Sequence, residues 1–269
     1  MNQSIKGSCS AVSWCLGASL TICLLTGVLF SQVPRPASKT ADELIAKVRT
    51  GQFGVMDVNE IANAGAAQAI PVLEAQFDAA EDPLFKKALA SALVRLGDRQ
   101  HGYWDFLAIK ANAAIDSDAP YISEFDSEGY TIPRRFSRKF LEWAKAHQVD
   151  PNAAAQAQLY VIPGDVLYLA ATGDPRGLTI LRRGLLNQNY LIQYISARGL
   201  ALLQDKDSIP LIISACEKAP SELWPLFARP LVFFDDVSAQ RAASRFILNR
   251  DLLEEFRKVS REKGPQGLF

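Results

Sequence analysis

The chain has 269 residues, 29 Lys+Arg against 29 Asp+Glu, and a hydrophobic fraction of 49%. Balanced charge excludes a global field that would draw it to nucleic acid or to an anionic membrane. The Leu, Ile, Ala and Phe content excludes a disordered chain and is enough for a buried core.

The first element is an export segment. Lys6 is followed by no charged residue until Arg35, and AVSWCLGASLTICLLTGVLF (Ala11 to Phe30) is a twenty-residue, largely apolar run. With Ser31 beyond it, the pattern suits a signal peptide, while its length nears the roughly 20 residues that span a bilayer. Residues 1–31 therefore read as a signal peptide or as an N-terminal hydrophobic helix retained as a membrane anchor. Residues 32–40 read as a linker, and the body starts at 41. The body is expected outside the cytoplasm, periplasmic or anchored facing that side, with membrane contact only through an uncleaved N-terminus. Cys9, Cys15 and Cys23 lie in the apolar segment, which leaves Cys216 alone in the body. No intrachain disulfide is possible there, and within IPLIISAC the cysteine reads as a small buried hydrophobe.

The body repeats itself. NAGAAQAIPVLE (Asn63 to Glu74) and LLQDKDSIPLII (Leu202 to Ile213) share an Ile-Pro followed by apolar residues. Aligning LASALVRLGDRQ (Leu89 to Gln100) with the stretch from Ile195 pairs Ala90 with Ala197, Leu93 with Leu200, Leu96 with Leu203 and Asp98 with Asp205. VLYLAATGDPRGLTIL (Val166 to Leu181) fits the same register, and the clean step is about 31 to 32 residues. Each unit predicts an Ala/Leu helix ending at Gly-Asp and a second helix opening at that Asp. Gly97 and Gly173 suit the left-handed end of a helix, and Asp98 and Asp174 suit the cap of the next. Pro175 suits a first helical position, whereas Pro71 and Pro210 are expected slightly deeper, bending their helices. One such hairpin cannot bury both faces, so units must stack, and at least about three are needed.

The helix end AxxALxxLGD with xxAIPxL after it resembles the HEAT-repeat family, including its bacterial, phycobilisome-lyase-like branch. The resemblance covers roughly residues 55–107 and 163–247. It implies an all-α fold, an α-solenoid of HEAT-like helical hairpins over 41–269, used mostly as a binding scaffold. Only the lyase-like branch includes chromophore-attaching members.

One stretch fits no repeat. DSDAPYISEFDSEGYTIPRRFSRKF (Asp116 to Phe140) separates acids from bases and interleaves aromatics. It predicts an inserted loop at about 112–136 leading into a helix over Ser137–His147. Long ordered loops on a rigid scaffold often carry recognition. Tyr121, Phe125, Arg134, Arg135, Arg138 and Lys139 are therefore the candidate partner-binding residues. A loop whose charges neutralise each other is the bland alternative. Pro225 and Pro230 are expected to kink the unit near Trp224.

Catalytic chemistry finds no support in the sequence. His101, His147 and Cys216 are widely separated, so no metal site is expected, and no nucleophile elbow, phosphate loop or dinucleotide fingerprint occurs. His147 reads as a polar group near a helix C-terminus. Asp235-Asp236 and Glu254-Glu255 read as caps and solvated faces, not acid–base pairs. No cofactor is implied. The expected function is an exported, non-catalytic scaffold for another protein or peptide, with an enzyme or lyase assembled on the same scaffold as the alternative.

Overall fold

The structure is a computed structural model that describes residues 41–50, 53–99, 101–117, 119, 136–157 and 162–269. The N-terminal segment, the linker and most of the inserted stretch, including Tyr121, Phe125, Arg134 and Arg135, lie outside the described residues. Those described form helices and turns with no strand. In chain order the α-helices are α1 (Ala41–Arg49), α2 (Val55–Asn63), α3 (Ile70–Ala79), α4 (Pro83–Arg95), α5 (Tyr103–Ile115), α6 (Arg138–Ala146) and α7 (Pro151–Gln156). They continue with α8 (Ile162–Ala171), α9 (Leu178–Gly184), α10 (Tyr190–Leu202), α11 (Ile209–Lys218), α12 (Trp224–Ala228), α13 (Val237–Phe246) and α14 (Arg250–Lys263). Fourteen α-helices are present among the described residues, of which α7 and α12 are short, with six and five residues.

The helix ends carry the repeat. Gly65, Gly97, Gly173 and Gln204 all have positive φ, at 63°, 98°, 61° and 54°. The left-handed residue turns the chain back so that the following N–H reaches the carbonyl five residues earlier, satisfying an orphan acceptor of the helix end. This bond runs from Ala66 N to Ile61 O at 3.2 Å, from Asp98 N to Leu93 O at 3.0 Å and from Asp205 N to Leu200 O at 3.0 Å. At Gly173 the Thr172 hydroxyl accepts from Asp174 N at 3.1 Å instead. Three of the four ends then continue identically. A three-residue 3₁₀ turn (Ala67–Ala69, Pro175–Gly177, Lys206–Ser208) leads directly into α3, α9 and α11.

Two expectations are corrected here. Pro71 and Pro210 fall in the first turn of α3 and α11, where the missing N–H is an orphan anyway, so they do not bend their helices. The helix after Asp98 does not open at that aspartate; α5 starts at Tyr103 behind Gly102, whose φ is 74°. Pro175 does open its turn, with the Asp174 carboxylate accepting from Arg176 N at 3.0 Å. Pro225 and Pro230 break the chain as expected, leaving α12 with five residues before the 3₁₀ turn Arg229–Phe233.

Packing follows from small residues at the crossings. Helices α2, α4, α8 and α10 contact one another in sequence, while α3 packs on α4, α5 on α4 and α8, and α9 on α10. Gly199 on α10 lies so close to α8 that an added Cβ would stand 2.8 Å from the Ala170 Cβ. One core runs from Leu44 to Leu268, and fully buried side chains such as Leu73, Leu93, Leu169 and Ile192 each contribute about 2 kcal/mol of transfer free energy. Polar ties cross it: Lys87 of α4 pairs with Asp165 of α8, and the Ser91 hydroxyl donates to Tyr168 O at 2.9 Å.

The insertion makes a satellite. The stretch expected at about 112–136 begins with the last turn of α5. After it, Ser137 caps α6 by accepting from Phe140 N at 3.1 Å, and His147 closes that helix, as the sequence predicted. Helices α6 and α7 pack on each other, and their buried Phe140, Ala144 and Ala155 stand outside the main core.

Candidate functional site

The turn aspartates tie helix ends to neighbouring elements. Asp174 is almost fully buried and takes Arg176 through two bonds of 3.0 and 2.8 Å, together with Arg99 from the previous turn. These arginines, with the Arg176 backbone N–H, hold its carboxyl down at about 2. Asp205 repeats the device. Arg182 donates to it through Nε at 2.8 Å and again through Nη2, and the Ser208 hydroxyl donates as well. Its carboxyl is likewise held below the usual range, chiefly by the Arg182 bonds. Arg176 also lies 4.4 Å over the Trp104 ring.

The third turn aspartate has different company. His101 Nδ1 lies 2.8 Å from Asp98 Oδ2 and 3.2 Å from Glu74 Oε1 of α3. The His101 backbone N–H donates to Asp98 Oδ1 at 3.3 Å. Asp98 is nearly buried, Glu74 half-buried and His101 exposed. Partial burial, and then the hydrogen bond with Asp98, raise the Glu74 carboxyl, while the Asp98 hydrogen bond and charge raise the His101 imidazole. The Tyr103 ring lies beside His101, centroids 5.9 Å apart, and Phe77 meets Tyr103 edge-on at 4.8 Å and Phe106 at 5.5 Å. The expectation of no metal-ligand set rested on the distance of His101 from the other histidine and the cysteine. What meets it is a pair of carboxylates, one of them on the preceding helix. The three ligand atoms lie within 4.8 Å of one another.

Of the predicted partner-binding residues, Arg138 and Lys139 are described. Both are exposed in the first turn of α6, and Arg138 Nε pairs with Glu142 at 2.8 Å. At the root of the insertion, Ile115, Asp116, Ser117, Arg183, Leu186 and Asn187 are among the residues lining a cleft of about 360 Å³. Arg183 pairs with Asp116 and donates to Asn112 at 2.9 Å, so this cation is already engaged.

The remaining candidates are structural. Cys216 is buried and free, and its burial pushes the thiol up to about 12. Asp236 caps α13 through Ser238 N at 2.8 Å and Ala239 N at 3.1 Å, while Glu254 pairs with Arg257 at 2.6 Å. His147 meets Trp143 O at 2.9 Å and its ring lies on Trp143. No described helix is long and apolar enough to cross a membrane.

Comparison of the chain with protein-family models, with curated proteins and with solved structures finds no match.

Proposed function

We propose that residues 41–269 form an α-solenoid of HEAT-like hairpins that acts as a non-catalytic scaffold, binding another protein or peptide on its helical surface and through the insertion. The observation that carries this reading is the recurrence of one helix-end geometry. At Gly65, Gly173 and Gln204 a left-handed residue is followed by a 3₁₀ turn and a new helix at the same offset. Stacked units of this kind offer a broad, rigid surface with few enclosed cavities, which suits a macromolecular partner better than a small substrate. The separate packing of α6 and α7 supports the insertion as an appended recognition element. Its basic residues Arg134, Arg135, Arg138 and Lys139 would meet an acidic partner. The uncharged run from Gly7 to Pro34 supports a location outside the cytoplasm.

The test is reconstitution. A partner crosslinked to the full-length protein in envelope extract is purified and titrated against wild type and a variant carrying all four basic residues as Gln. Arg138 and Lys139 are exposed, where substitutions usually change stability by under about 0.5 kcal/mol each, so the variant is expected to stay folded while binding falls at least about tenfold. Unchanged affinity, with faster proteolysis between Asp116 and Ser137, refutes the role of the insertion.

A further inference from the structure

We propose that Glu74, Asp98 and His101 form a binding site for a borderline divalent cation of the Zn²⁺ type, clipping α3 to the turn between α4 and α5.

The three donor atoms lie within 4.8 Å of one another, close enough to share one cation after small adjustments. At bond lengths of about 2.0 to 2.2 Å, neighbouring ligands of a tetrahedral zinc lie about 3.3 Å apart. The His101 Nδ1 separations are 3.2 Å to Glu74 Oε1 and 2.8 Å to Asp98 Oδ2. One imidazole nitrogen with two carboxylate oxygens is a donor set for zinc and its first-row neighbours, and the two negative charges match the cation's two positive ones. The exposed side of His101 leaves room for water as a fourth ligand.

The repeat itself makes the cluster unusual. The equivalent aspartates, Asp174 and Asp205, meet arginines. Asp98 instead faces a histidine and a second carboxylate, Glu74, for which the repeat has no use; the residues four places after the helix start are Arg182 in α9 and Ile213 in α11. Two carboxylates facing one imidazole leave a negative charge in excess even with His101 protonated, and a divalent cation would neutralise it.

The ligands are also held in place. Glu74 sits within α3, Asp98 is fixed by its bond to Leu93 O at 3.0 Å, and the His101 backbone is tied to Asp98 Oδ1. The Tyr103 ring lies against the His101 imidazole, centroids 5.9 Å apart, and puts an apolar surface beside the cluster, as the surroundings of metal centres commonly do.

The experiment is calorimetric titration of ZnCl₂ into the untagged full-length protein after chelator treatment. Beside it run Glu74→Gln, His101→Ala and, as a control for adventitious histidine binding, His147→Ala. One equivalent is expected to bind at micromolar Zn²⁺ or below. Glu74→Gln and His101→Ala should each weaken it at least about tenfold while His147→Ala leaves it unchanged. Zinc at a hundredfold excess over its dissociation constant should raise the melting temperature by about 5 °C in wild type and not in His101→Ala. Circular dichroism of both cluster variants without metal confirms that they remain folded. Absence of binding up to 100 µM Zn²⁺ (about that limit marks weak, nonspecific sites), binding that survives His101→Ala, or equal competition by Ca²⁺ overturns the proposal.

Discussion

Gln204 occupies a conformation that its side chain disfavours, and replacing it separates two opposing terms. Its φ is 54° where the equivalent positions are glycines. A non-glycine residue there costs about 1 kcal/mol or slightly more. Against this, its amide makes a clamp: Nε2 donates to Ala201 O and to Phe233 O, both at 2.7 Å, and Oε1 accepts from Asp235 N at 2.8 Å. The clamp ties the end of α10 to the turn ahead of α13. Phe233 is 3% exposed, so removing the amide strips a partner from a buried carbonyl, at about 1 to 3 kcal/mol, with about 1 kcal/mol more for the remaining bonds. Gln204→Ala keeps the strain and loses the clamp, for an expected loss of about 2 to 4 kcal/mol. Gln204→Gly loses the clamp but relieves the strain, for about 1 to 3 kcal/mol. Urea unfolding of the full-length variants, followed by helical circular dichroism, measures both. Wild-type stability in Gln204→Gly, or Ala proving better than Gly, would refute the reasoning.

Two further outcomes follow from the same packing and charge arguments. Gly199→Ala places a Cβ 2.8 Å from both Ala170 Cβ and Leu181 Cδ1, so α8 and α10 must separate, and the midpoint of urea unfolding should fall by the equivalent of about 1 to 3 kcal/mol. Asp174 has a folded pKa of about 2 against an ordinary aspartate value of 3.8, so its contribution is complete above the unfolded value and is lost as the pH falls toward 2. Because Arg99 and Arg176 are largely exposed, screening trims the contribution to about 1 to 2 kcal/mol. Asp174→Asn should therefore lower stability near neutral pH and flatten its loss between pH 4 and 2, a window set by those two values; an unchanged acid profile would show that the arginines contribute nothing.

Helices, their ends and the repeat were legible from the residues alone, because these features are local. Gly97 and Gly173 mark left-handed ends by lacking a Cβ, Leu and Ala recur on one face, and Ser137 with its helix follows from a capping pattern a few residues long. The placement of Pro71 and Pro210 was misread because a three-residue 3₁₀ turn absorbs the bend, and nothing in composition distinguishes that turn from the start of an α-helix. Gln204 as a left-handed residue was equally illegible, since the bonds that hold it there come from Phe233 and Asp235 in the following unit. The Glu74–Asp98–His101 cluster belongs to the same class. His101 three residues after Asp98 was a visible local pair, but Glu74 joins it only because α3 folds back along α4, and that tertiary packing, not any spacing in the chain, decides which carboxylate faces which imidazole.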